Sequence, residues 1–414
     1  MATARPFIPP GFAMTYGIFQ EYYQSNWTFH GSKNVAGVIG TTSNGVMYLS
    51  MPFLFAALSR RWARFRRTAA IAGILVACLG FLLSSFSNQV WQLVATQGVF
   101  SALGCALIYS PTTLSLSENY STTNRAFALG IVLSSKNIVG TTCPFLLHHL
   151  LSHLGITITL RIWTGLTLLT SIPVLLMPMH APHLDPAPSS HEYRPRKIPW
   201  SFLRHPAIYI HATATLLQSS GYGIPQTYLP TYAQNIALSA SSATVLLTLF
   251  NAPGIISSSA FGLLSDNRRF PLSATAVACV SALASGLAAF LLWGMATGGA
   301  NAMPLLALFA IIYGSFAGGY SATWGGMIKE MEQESAERNE AIDSGVVYGL
   351  LNGARGVGYV GGGLAGVQLL KVGEGSEIGG FGYASGYGPL IVYTGLATVC
   401  GGWGVAWKLG RSLR

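Results

Sequence analysis

Two basic residues stand inside apolar runs, where a charge is costly. Lys136 lies in FALGIVLSSKNIVGTT (127–142), and Arg355 lies in GLLNGARGVGYV (349–360). A lysine or arginine at the centre of a lipid-crossing helix costs about 2.5–3.5 kcal/mol on insertion scales, so such residues mark ligand or ion sites. Two cations together do one kind of chemistry well: they hold an anion. Tyr348, Asn352, Arg355 and Tyr359 follow at spacings of four, three and four, which puts them on one helical face. That polar, aromatic stripe suits an oxygen-rich or conjugated organic molecule. Gln218, Tyr222, Asn251, Tyr313 and Tyr320 add further hydrogen-bonding side chains within apolar segments. The competing reading is structural: Lys136 snorkels or bonds helix carbonyls, and Arg355 pins two helices.

Acids are scarce where the bases sit. Glu21 falls toward one end of its run and Asp343 at the edge of another, while Glu330, Glu332, Glu334, Glu337 and Glu340 crowd what reads as a solvated loop. Proton coupling therefore does not follow from these residues. Other chemistries find no constellation. GVGYVG (356–361) matches G-x-G-x-x-G but has no preceding strand, so no nucleotide cofactor is expected. Gly358, Gly362 and Gly366 recur every fourth residue and are expected to let helices approach closely. His148, His149 and His153 read as a wet interfacial patch, and Cys78, Cys105, Cys143, Cys279 and Cys400 read as small apolar packers with no metal-ligand spacing. No nucleophile–base pair, metal or cofactor site is expected, and the chain does not read as an enzyme.

The elements that must position these residues follow from composition. Of 414 residues, 51% are hydrophobic and 9% charged, against about 25% charged in soluble domains. Runs of about 20 apolar residues recur, each long enough to cross a bilayer. Twelve are read: 6–23, 35–57, 69–87, 91–114, 127–147, 158–179, 206–228, 240–262, 272–294, 303–326, 344–368 and 387–407. The net charge of +10 is explained by placement. With the N-terminus cytoplasmic, 18 of the 23 Lys and Arg fall inside and only Lys33 and Lys371 outside; Lys136, Arg161 and Arg355 lie in or beside spans. This bias supports twelve spans with both ends cytoplasmic, and it makes nucleic acid an unneeded partner. Arg60–Arg67 then reads as a solvated, positive-inside loop. NWT (26–28) falls outside, making Asn26 a glycosylation candidate, whereas NYS (119–121) falls inside. MATARPFIPPGFAM has prolines where a cleavable signal would be apolar.

Residues 180–205 are polar and rich in Pro and His, and they divide the chain into halves 1–179 and 206–414 around a cytoplasmic linker. The halves repeat. FAALSRR (55–61) after span two aligns with FGLLSDN (261–267) after span eight. GIVLSSK (130–136) in span five aligns with GLLNGAR (349–355) in span eleven, so Lys136 and Arg355 occupy equivalent positions. Counting from each span's cytoplasmic end, they lie about 14 and 17 Å deep, near the midplane of a roughly 30 Å core. Internal duplication of this kind is the design of many secondary transporters.

Five stretches, YGIFQEYY (16–23), NYSTTNRAFALGI (119–131) with Pro144 further on, LLQSSGYGIPQTYLPTYA (216–233), FNAPGIISSSAFGLLSD (250–266) and NGARGVGYVGGGLAG (352–366), span nearly the whole chain. Through them the chain resembles a major facilitator superfamily transporter, and within it the fungal branch related to monocarboxylate porters. The resemblance implies an all-α fold of two pseudo-symmetric six-helix bundles around a central cavity, working by alternating access. Spans 1, 4, 7 and 10 would line the cavity, with 2, 5, 8 and 11 beside them.

The sequence departs from the family in three places. Span one is short and interrupted by Pro9-Pro10, through a native truncation or a lost exon. In the loop after span two, Arg60 stands where the family has Asp; the second copy keeps Asp266 with Arg268 and Arg269, so the gating contact is expected there. In span eight, Ser258 stands where related porters carry a substrate-reading arginine, and Gly254 where an acidic partner would be. The expected function is transport of a small anionic or polyoxygenated organic molecule, as secondary-metabolite export or carboxylate-like uptake. The candidate substrate residues are Lys136, Arg355, Tyr348, Asn352, Gln218, Tyr222, Asn251 and Tyr313. The alternative is a non-transporting sensor or an inactive truncated carrier on the same scaffold. A monomer in the plasma membrane is expected, with the bilayer and the small molecule as partners.

Overall fold

The computed structural model describes residues 12–26, 36–59, 62–119, 125–176, 200–266, 272–337, 342–373 and 381–412. Its elements are helical; among the described residues there is no strand. In chain order they are α1 (Phe12–Ser25), α2 (Ala36–Ser59), α3 (Arg66–Ser84) and α4, which runs from Val90–Leu93 through a wide turn at Val94–Phe100 into Ser101–Asn119. The helical stretch Arg125–Leu175 is broken at Gly155 (φ 70°), giving α5 (125–154) and α6 (156–175). Glycine takes that backbone angle without a Cβ penalty. The second set comprises α7 (Pro206–Asn235), α8 (Ala240–Asn251 and Gly254–Asp266) and α9 (Ala274–Ala288, continued by Ala289–Trp293). It continues with α10 (Ala302–Gly319 through Trp324–Glu337), α11 (Ser344–Gly373) and α12 (Gly388–Cys400 and Gly404–Ser412).

Among the described residues, seven helical stretches are long and apolar enough to cross a membrane, and one of these holds both α5 and α6. The helices outside that set are α1, α2, α7 and α11. They are also the ones in the middle of the bundle: α2 packs along α11, and α11 along α7. A helix screened from lipid by its neighbours can afford Gln, Asn, Tyr and Gly, which lowers its mean hydropathy. Nearly every residue of α7 from Gln218 to Ala233 is buried.

The packing follows the sequence repeat. Along α2 and α11, Thr41 meets Gly363, Gly45 meets Val360, Leu49 meets Gly356, and Phe55 meets Gly349, an antiparallel register. Along α5 and α8, Gly130 meets Ser258 and Ser259, and Gly140 meets Asn251, again antiparallel. Gly130 is the repeat-mate of Gly349, and Ser258 lies one turn before Phe261, the repeat-mate of Phe55. The two contacts are thus the same contact made twice.

Close approach explains the glycine stripe of α11. A Cβ at Gly362 would collide with the carbonyl oxygen of Ser220 on α7, and one at Gly358 with that of Leu216. Neither obstacle is a flexible side-chain end. Gly362→Ala is therefore expected to force α7 and α11 apart and cut the yield of folded protein several-fold; size-exclusion chromatography in detergent reads the outcome.

Two expectations about charged segments change. Arg66 is fully buried rather than part of a solvated loop. Its Nε donates to the carbonyl of Leu58 at 2.9 Å and its Nη2 to that of Ser59 at 3.4 Å. A guanidinium there satisfies the last carbonyls of α2 and meets the negative end of the helix dipole. The acidic stretch around Glu330 belongs to the last turns of α10. Glu330 accepts from the backbone N–H of Ala274 at 2.9 Å and pairs with Lys408 at 2.9 Å, tying the ends of α9, α10 and α12 together. Asp343 begins α11, its carboxylate accepting from the N–H of Val346 at 3.2 Å, so it caps a helix.

Candidate functional site

Among the described residues, contacts join the two sets of helices toward both ends of the bundle. At one end Gln234 donates to Glu21 at 2.5 Å, and Gln226 contacts Met14 Sδ at 3.1 Å. At the other, the hydroxyls of Tyr109 and Tyr348 lie 3.3 Å apart, and the Phe55 ring lies 5.7 Å from that of Tyr348. Between these contacts lie Lys136 and Arg355.

Arg355 is 3% exposed. Its guanidinium carbon lies 5.0 Å from the ring centre of Tyr48, 5.5 Å from Tyr222, 5.6 Å from Tyr359 and 5.7 Å from Trp324. Four π-faces supply partial compensation to a desolvated cation. They do not replace an anionic acceptor: Arg355 Nε is buried without a hydrogen-bond partner. Lys136, 7% exposed, has the same deficit at Nζ and lies within electrostatic reach of Arg355. The indole N–H of Trp324 is a third buried donor with no acceptor. Among the described residues, no carboxylate pairs with either cation. A buried, uncompensated charge is expensive, and three idle donors around one region ask for an acceptor.

Six elements make the site. α11 supplies Arg355, Tyr348 and Tyr359; α5 supplies Lys136; α2 supplies Tyr48; α7 supplies Tyr222; and α10 supplies Trp324 and Tyr313. Phe250 of α8 backs the group, stacking on Tyr313 at 5.8 Å, while Tyr313 stacks on Tyr222 at 6.4 Å. Tyr348 meets Trp324 edge-on at 5.8 Å.

The other sequence candidates go elsewhere. Gln218 donates to the carbonyl of Ala317 at 3.4 Å and packs against Gly401, between α10 and α12. Asn251 donates to its own helix at Leu247, 2.9 Å away, and sits against Gly140 in the α5–α8 seam. Asn352 donates to the carbonyl of Tyr348 at 2.8 Å. Tyr320 donates to the carbonyl of Gly401 at 3.1 Å. Ser258, where the related porters' arginine would stand, is fully buried and accepts from Asn137 at 3.3 Å. Asn137 also fills the space beside Gly254. The α8 position is thus sealed into helix packing.

Asp266 ends α8, but its side chain, Arg268 and Arg269 lie outside the described residues, as do most of 180–205. Asn26 is exposed just past α1. The rings of His149 and His153 lie 4.5 Å apart, tilted at 53°, and among the described residues no three His, Cys, Asp or Glu gather as a metal site. A separate cavity of about 250 Å³ lies between the ends of α7, α9, α10 and α12, beside His211 and the Glu330–Lys408 pair. Sequence reasoning missed Tyr48 and Trp324. The only signal was that both lie on spans the family resemblance places at or beside the cavity.

Comparison with known proteins agrees with this architecture. Residues 3–363 match the Major Facilitator Superfamily. An MFS-type transporter of Gibberella moniliformis is 27% identical over 310 residues, covering 74% of this chain and 70% of that one. Human monocarboxylate transporter 11 is 28% identical over 273 residues, 64% of this chain and 56% of its own. The agnestins efflux protein AgnL12 of Paecilomyces divaricatus is 24% identical over 261 residues, 63% and 58%. The crystal structure of human MFSD10 (TETRAN), described as an organic anion transporter, superposes with a TM-score of 0.61 over 95% of both chains at 13% identity, which speaks to the fold. The chain therefore belongs to the major facilitator superfamily and is a multi-pass membrane transporter of small molecules.

Proposed function

We propose that the protein moves a small organic anion by alternating access, and that Lys136 and Arg355 bind the anion between the two halves of the chain. The observation that carries this reading is the pair itself. Lys136 Nζ and Arg355 Nε are buried donors without an acceptor, and the two residues stand at repeat-equivalent positions, between contacts that involve both halves. An anion between them would offset the cost of burying both. Tyr222, Tyr313 and Tyr348 would contact it alongside Arg355. Asp266, Arg268 and Arg269 would form the gating loop on the cytoplasmic side.

The efflux proteins among the relatives support export of a secondary metabolite over uptake. The positive-inside bias supports cytoplasmic termini. On that topology Asn26 faces outward and is available for glycosylation, and a monomer in the plasma membrane completes the reading.

The test is exchange. The purified protein is reconstituted into liposomes loaded with one unlabelled organic anion, and entry of its labelled form is followed across aromatic, hydroxylated and aliphatic carboxylates. Saturable counterflow for at least one class is expected. Saturable binding without exchange, for every anion, would replace the carrier with a sensor.

A further inference from the structure

The geometry points to a planar, conjugated carboxylate as the ligand of this site, with Tyr48 and Tyr359 as the residues that select it over an aliphatic acid of equal charge. This deepens the anion-binding reading above and rests on it. The argument comes from how the rings are arranged around the guanidinium. Tyr48 lies parallel to Tyr359, 5.6 Å away with 8° between planes. Phe250, Tyr313 and Tyr222 form a second stack, with interplanar angles of 29° and 16°. The two stacks meet where Tyr222 stands at 82° to Tyr359, with centroids 6.3 Å apart. The result is a corner with aromatic walls and Arg355 inside it.

The guanidinium carbon lies within 5.7 Å of four ring centres, and an N–H of its fork remains for a ligand. Arg355 Nε is one such donor, and the indole N–H of Trp324 is another. Both suit a carboxylate, which accepts from a guanidinium edge in its own plane. A carboxylate conjugated to a ring carries that plane with it, so binding to Arg355 and lying against a wall become one act. An aliphatic acid can satisfy the donors but cannot stack.

Tyr48 explains how such a ligand gains entry. It is contributed by α2, whereas Tyr222, Trp324, Arg355 and Tyr359 all come from the second half of the chain. When the halves part, Tyr48 leaves the face of Tyr359 and opens a slot one ring thick. A planar ligand takes that face, and Tyr48 closes on its other side. Stacked and edge-to-face aromatic contacts add to simple area burial, so discrimination between a flat and a puckered ligand is expected.

The experiment compares 2-naphthoate with its decahydro counterpart, which has the same carbon skeleton and charge but no π-system. Binding to the purified full-length protein is measured by isothermal titration. The wild type is expected to bind 2-naphthoate at least about tenfold more tightly. Tyr48→Leu and Tyr359→Leu are each expected to shrink that ratio to within about threefold while retaining the saturated acid; Tyr48→Phe is expected to preserve it. Equal affinities in the wild type overturn the inference without any variant, as does a ratio unmoved by both leucine substitutions. Exchange of aliphatic anions with no binding of 2-naphthoate overturns this inference alone. If no organic anion of any class binds or exchanges, the anion-transport reading falls with it.

Discussion

Arg355→Ala is expected to abolish saturable counterflow of organic anions, weakening binding by at least about thirtyfold, while the protein still reaches the membrane. Truncating one member of a buried charge pair costs about 2–5 kcal/mol in binding, which sets that floor. The loss comes from charge and geometry together. The guanidinium carbon lies within 5.7 Å of the ring centres of Tyr48, Tyr222, Trp324 and Tyr359. Arg355→Lys keeps the charge but loses the planar fork, so intermediate binding is expected. Reconstitution at matched protein amounts, with surface labelling of intact cells, separates lost binding from lost expression. Wild-type exchange by Arg355→Ala would make the residue a structural pin.

Lys136→Met is expected to move stability and function in opposite directions. Methionine reproduces the lysine stem, one atom shorter, and removes a buried ammonium that has no acceptor. Uncompensated buried charge is destabilising by several kcal/mol, even after relaxation and some water entry. The melting temperature of the ligand-free protein should therefore rise by about 2 °C or more, since about 1 kcal/mol shifts a domain of 150–250 residues by roughly 2–4 °C. Anion binding should fall at least tenfold. A residue retained against its own stability is the mark of a functional one. A fall in melting temperature would show that Lys136 is satisfied by its helix neighbours and serves the fold.

Different parts of the site were legible in the sequence to different degrees. Lys136 and Arg355 stood out because a charge in an apolar run violates a strong rule. Their kinship was readable because GIVLSSK and GLLNGAR repeat in register. Tyr348 and Tyr359 followed from helical spacing on the same face as Arg355. Gln218 did not reach the site although it lies one turn before Tyr222. Spacing along a helix says which residues share a side but not which neighbour that side meets; Gln218 meets α10 and α12. Asn251 failed for the same reason, turned into the α5–α8 seam. Tyr48 and Trp324 were missed because aromatic residues are common in membrane helices, and only contacts from other helices reveal their role. Arg66 read as one more basic loop residue because local sequence cannot show that the end of α2 turns back over it.

The α8 position illustrates how the site has changed relative to the family pattern. With Ser258 bonded to Asn137 and Asn137 filling the space beside Gly254, no room remains for an arginine from α8. In the proposed site the cations come from α5 and α11, which the sequence repeat relates to each other. An anion there would touch both halves at once, which is the geometry that alternating access requires.

The central claim is that one anion is held by Lys136 and Arg355 together. Equilibrium binding of whichever anion shows the fastest counterflow tests it most directly, using wild type, Lys136→Met and Arg355→Ala side by side. Both variants should lose at least tenfold in affinity while remaining monodisperse. Wild-type affinity in either one would contradict the shared site.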